Sequence, residues 1–128
     1  MSMLSDYLEA ALINTVLRGQ QYASPVKVYA GLFKSDPTDA GTGVEVSGGG
    51  YVRQEITFSS PVDGQTMNTL DILFPVATAL WGTITHIGIY DAQTGGNLLL
   101  YGPLEFERTI DISSQFKIPA SYLIIRLK

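Results

Sequence analysis

Residues 81–91, WGTITHIGIYD, constrain the fold more than any other stretch of this chain. They alternate with the period of two that an extended strand imposes. Thr83, Thr85, Ile87 and Ile89 share one parity, and Ile84, His86, Gly88 and Tyr90 share the other. Both parities carry apolar bulk, which predicts a strand covered on both faces rather than one with a wet side. Trp81, the single tryptophan, opens the segment. Residues 91–97, DAQTGGN, are turn formers, and residues 98–101, LLLY, read as the strand that returns. The expectation is a hairpin at the centre of a β domain.

The flanking sequence repeats the signal. Residues 25–33 read as a strand that Pro25 starts, with Val26, Val28, Ala30 and Leu32 facing one way and Lys27, Tyr29, Gly31 and Phe33 the other. Residues 34–50 are rich in Gly, Asp and Pro and read as a long surface loop, a common place for interaction. Residues 51–59 and 66–74 alternate as two further strands, the second ended by Pro75. A bend is expected at residues 103–107, extended chain at 108–112 and 116–118, and a last strand over 122–128 that pins the C-terminus. Residues 1–19 hold the one predicted helix. Leu4, Leu8, Leu12 and Val16 recur at four-residue spacing, Ala11 and Leu17 widen the stripe, Ser2 or Ser5 can cap it, and Gly19 suits the C′ position. Such a helix either packs across an open face or end of the β domain or serves as an arm on a neighbouring subunit.

The fold class is therefore all-β: an antiparallel sandwich, jelly-roll-like, or a barrel, of seven to eight strands with one N-terminal α-helix. Residues 1–128 form one domain, the helix occupying 1–19 and the sandwich 25–128. No solenoid or propeller period, fibrous repeat or coiled-coil heptad is present.

Composition narrows function mostly by exclusion. The net charge is -4 and the basic residues are scattered, so nucleic acid is not an expected partner. No apolar run approaches the ~18 residues of a membrane helix, and the N-terminus has no basic segment leading into an apolar one. With no cysteine and one histidine, a transition-metal site is not expected. His86 lies mid-strand, where a hydrogen-bonded core or interface role fits better than catalysis. Gly48, Gly49 and Gly50 lack the Lys-Ser/Thr of a phosphate loop and precede a strand. Asp36 and Asp39 lack the ladder of oxygen ligands that a calcium loop needs. Tyr22, Tyr29, Tyr51, Tyr90 and Tyr101 could form a sugar platform, but such rings are more often sheet residues with a hydroxyl at the rim. No catalytic residue, cofactor or metal is assigned.

The segments LSDYLEAALINTVLRG, VYAGLFKSDPTDAGTGVEVSGGGYVRQEITF and FPVATALWGTITHIGIYDAQTGGNLLLYGPL, with the terminal strand, together resemble small structural proteins of tailed bacteriophages. Proteins of this kind are often labelled tail fibre protein. The combination DPTDAGTG, SGGGY, WGTITHIGIYDA and TGGNLL carries the resemblance, which spans almost the whole chain. It implies a non-enzymatic virion component. A compact β domain of this size is also similar to the decoration, or cement, proteins that sit as trimers on capsids. The leading expectation is thus a capsid cement protein, a homotrimer bound to the major capsid protein. The alternative is a small tail fibre or baseplate component bound to other tail proteins, with or without a host-glycan surface. Expected contact residues are Leu4, Tyr7 and Leu8 on the helix, Asp36, Asp39 and Tyr51 along the long loop, and Trp81.

Overall fold

In the computed structural model, which describes residues 3–127, a short strand β1 (Met3–Leu4) leads into helix α1 (Asp6–Leu12) and a π-helical turn (Ile13–Leu17). The β domain follows: β2 (Val28–Phe33), β3 (Gln54–Ile56), β4 (Gln65–Met67), β5 (Ile72–Leu73), β6 (Gly82–Tyr90), β7 (Leu98–Ile110), β8 (Lys117–Ile118) and β9 (Ile124–Arg126). Ser2 and Lys128, which the pattern assigns to the helix start and the last strand, lie outside the described residues.

Five strands form one open antiparallel sheet in the order β1-β7-β6-β2-β3. Two antiparallel ribbons, β4-β9 and β5-β8, supply the second layer. The domain is an all-β sandwich, and the sheet keeps two edges instead of closing into a barrel. Its main core joins Ala30, Leu32, Ile84, Ile87, Ile89 and Ile110 of the sheet to Ile72, Phe74, Trp81, Phe116, Leu123 and Ile125 of the ribbon side. On the opposite face of the sheet, Phe33, Tyr90, Leu98 and Tyr101 make a second cluster. The β6 segment is thus covered on both sides, as its two apolar parities predict.

Glycine makes that second face possible. Gly31 and Gly88 pair across β2 and β6, and a Cβ on Gly88 would stand 2.8 Å from Phe33 and 2.9 Å from Leu98. The bare backbone there lets Phe33 and Tyr90 stack at 6.2 Å between ring centroids.

Several elements differ from the expectation. The strict alternation along β6 places Ile84 opposite Ile87, yet both enter the main core. The ladder shows why: Ile84 pairs with Arg108 and His86 with Pro103, so Thr85 alone faces four residues, 104–107, of β7. This bulge resets the parity. It begins directly after Pro103, so the expected bend at 103–107 is a bulge within one 13-residue strand. The strand over 66–74 divides at Asn68, fully buried, whose amide donates to Leu70 and Pro119 carbonyls and accepts from Leu123 N–H. The strand over 51–59 shortens to β3, and Arg53 turns inward while Val52 faces out. Val26 and Leu127 lie outside their expected strands and are exposed.

The helix is the largest revision. It starts at Asp6 with Ser5 as N-cap, because Met3 and Leu4 are taken by the sheet. The wider π-helical turn slips the four-residue stripe, leaving Leu8, Ala11 and Leu12 half-buried against the domain and swinging Val16 to 72% exposure.

Candidate functional site

Two features of the structure stand out: the contacts that hold its loops and the apolar surface left uncovered. The loop over 34–50 is anchored along its stem. Lys34 N–H donates to Val44 O at 2.8 Å, Val46 N–H to Leu32 O at 2.9 Å, and Trp81 Nε1–H to Gly49 O at 2.8 Å. Gly49 has φ +59, and a Cβ there would meet the Trp81 indole nitrogen at 2.9 Å, so this contact requires glycine.

Glu45, on that stem, is the centre of a polar knot. Arg53 grips it with two hydrogen bonds of 2.8 Å, and Tyr51 O–H donates to it at 2.5 Å. The remaining guanidinium nitrogen donates to Ala92 O and Gly95 O, in the β6-β7 turn, and the guanidinium lies 3.5 Å over the Tyr90 ring. One cation thereby ties the long loop to the hairpin tip. Burial opposes the Arg53 charge, but the bonds and charge of Glu45 outweigh it and raise the pKa further. Burial, followed by the Glu45 hydrogen bond, pushes the Tyr51 phenol up.

The second anchored region joins the N-terminus to the loop tip. Ser5 N–H donates to Leu99 O, Ser5 Oγ to Leu98 O at 2.5 Å, and Asp6 N–H to Asp39 O at 2.9 Å. Tyr101 O–H donates to the Asp39 carboxylate, which together with burial pushes its pKa up to about 12. Carboxylates of Asp6, Glu9 and Asp39, all exposed, lie within 4.8 Å of one another and are the residues that could offer oxygen ligands to a cation.

Of the expected contact residues, the structure brings five to one end of the domain. Leu4 pairs with Leu100, Tyr7 is exposed, Leu8 is half-buried, and Asp39 is held as described. Asp36 is exposed beside them, accepting from Thr38 N–H and standing 4.0 Å from His86. His86 is half-buried and its Nδ1 bonds Thr85 at 2.8 Å. Trp81 requires correction: at 2% exposure it is a core residue, drawn in by its bond to Gly49 and its edge contact with Tyr51. Tyr51 is half-buried, with its hydroxyl committed to Glu45 and Leu32 N–H. Tyr90 and Tyr101 are buried, which leaves Tyr7 and Tyr122 as the large exposed aromatic rings besides Phe106 among the described residues.

Pattern reading missed the uncovered groove beside the β7 bulge. Leu104, Phe106, Arg108, Ile118 and Tyr122 line a hollow of about 540 Å³, with Phe106 and Tyr122 each 74% exposed. The only sequence cue was Pro103, which marked the irregularity without showing its direction.

The sequence profile of the family described as podophage GP4 fiber I protein gp80 matches residues 3–126. The chain belongs to this family. Among curated proteins, none matches it. Membership in the fibre I family makes the protein a phage structural component of fibre type and a constituent of the virion. It accords with the resemblance carried by the sequence motifs, and it favours the fibre alternative over capsid cement.

Proposed function

We propose that the protein is a non-enzymatic subunit of the fibre apparatus on the phage tail, working as a homo-oligomer of three copies attached to other tail proteins. The observation that carries this is the fibre-family match across residues 3–126. The surface supports the subunit role. Val16, Leu17, Phe106 and Tyr122 are each more than two-thirds exposed, and large apolar groups left open on an otherwise well-packed domain suit burial between proteins. Rigidity suits it too. Among the described residues no buried side-chain nitrogen or oxygen lacks a hydrogen-bond partner.

The test is antibody-gold labelling of intact virions with serum raised against the folded chain. Gold confined to the tail is expected. Gold spread over the head shell would overturn the fibre assignment and return the protein to the shell as cement.

A further inference from the structure

Two unmatched surfaces stand at opposite ends of β7. At the Leu98 end, the helical segment turns Ile13, Val16 and Leu17 to solvent, with Glu9 on nearly the same side one turn earlier. At the other end, past the bulge, lies the groove of Phe106, Ile118 and Tyr122 with Arg108 at its rim. The helix base is fixed at Leu98 and Leu99, and the chain leaves β1 heading away from the bulge. Along β6, Leu99 lies opposite the Ile89–Tyr90 step and Phe106 opposite Thr85, a separation of about 15 Å at ~3.3 Å per residue, so a chain whose helix stays so anchored does not fill its own groove.

We propose that the outer face of the N-terminal helical segment of one copy docks in the groove beside the β7 bulge of a second copy, head to tail. Charge favours the same pairing. Glu105, Arg108 and Lys117 line the groove beside its apolar groups, two bases against one acid, with Lys117 already paired to Asp71. Among the described residues neither Glu9, beside the apolar helix face, nor Arg108 has an ion-pair partner within its own chain. Apolar helix into apolar groove with a pair at the rim is a recurrent mode of protein recognition. A contact between two different patches of the same chain is heterologous, so it continues until a ring closes or a filament grows, either of which serves a fibre. This inference rests on the homo-oligomeric reading above and adds the interface to it.

The experiment is native mass spectrometry on the full chain and two surface variants, V16D/L17D and F106S/Y122S, with folding checked by circular dichroism. The parent is expected as an oligomer of the 13.9 kDa chain, and each variant alone as a monomer. An equimolar mixture of the two variants should give a dimer and nothing larger, since each retains one of the two surfaces. E9R and R108E should each lose oligomer, and E9R/R108E together should regain it. A monomeric parent, a variant that keeps the parent mass, a mixture that stays monomeric, or a double charge reversal without recovery overturns the interface. An oligomeric parent whose variants keep its mass would fail this inference alone, a monomeric parent would fail the homo-oligomeric reading with it, and a head location with the expected masses would fail the fibre assignment alone.

Discussion

Replacing Arg53 by methionine should cost the fold far more than a surface ion pair is worth. Methionine keeps the unbranched stem but removes both bonds to Glu45, the two bonds to the Ala92 and Gly95 carbonyls, and the contact with the Tyr90 ring. Breaking a buried pair by removing one partner costs about 3–5 kcal/mol, because the other charge is left without compensation. Here the Arg53 side chain is 9% exposed but Glu45 is 22% exposed and keeps its bond from Tyr51, so part of the penalty is relieved. The freed turn carbonyls lie near solvent and rehydrate. We expect about 2–4 kcal/mol, or a fall in Tm of roughly 10 °C for a chain of this size. Glu45→Gln should cost about 2 kcal/mol, and the double variant R53M/E45Q should be less destabilised than the sum by about 1.5–3 kcal/mol. Urea denaturation of the four proteins measures the cycle. A loss below about 1 kcal/mol in R53M, or additive single effects, would mean that the knot is only a surface pair and would refute the reasoning.

Other substitutions probe the remaining supports. Asn68→Asp replaces the two amide donors that face Leu70 and Pro119 carbonyls with a carboxylate, and should destabilise by more than about 3 kcal/mol in denaturant titration. Gly88→Ala should cost about 1–3 kcal/mol by overpacking Phe33 and Leu98, and calorimetry should show the loss eased by Phe33→Leu. Ser5→Ala removes the helix cap and the bond to Leu98 O. Hydrogen exchange should quicken through residues 6–17 while β6 keeps its protection. The Tyr101 phenol, raised to about 12 by Asp39 and burial, keeps its proton in the folded state above its ordinary value of 10.0. Its stabilising contribution is therefore complete below the ordinary value and is lost as pH rises towards the raised one. Tyr101→Phe should flatten the decline of stability over that window, and an unchanged slope in pH-dependent denaturation would contradict the assignment.

How far the sequence disclosed this fold depended on whether tertiary contacts overrode local period. The β6-β7 hairpin was legible because residues 82–90 alternate strongly and residues 91–97 can only turn. The face of Ile84 was not, since the bulge that moves it depends on how β7 lies alongside, which no period in β6 records. Parity groups Arg53 with Glu55 and Thr57, against Val52, Ile56 and Phe58. Its burial follows from Glu45 and two turn carbonyls, the latter some forty residues away, and only folding brings them together. Asn68 broke a strand for the same reason, its partners coming from residues 119 and 123. The helix stripe read correctly for Leu8 and Leu12 and failed at Val16, where a π-helical turn changes the spacing. Trp81, an expected contact residue, lies in the core instead, because Gly49 gives its indole nitrogen a buried acceptor. The groove at Phe106 was hidden because exposed apolar residues on a bulge look in sequence like any others.

The central claim is that this chain is a fibre subunit on the tail, and its copy number relative to the major capsid protein in purified particles tests it most directly. Quantitative mass spectrometry should find a ratio of a few per cent or less, in a multiple of three copies per particle. A ratio near that of the capsid protein itself would contradict the account and place the protein on the shell.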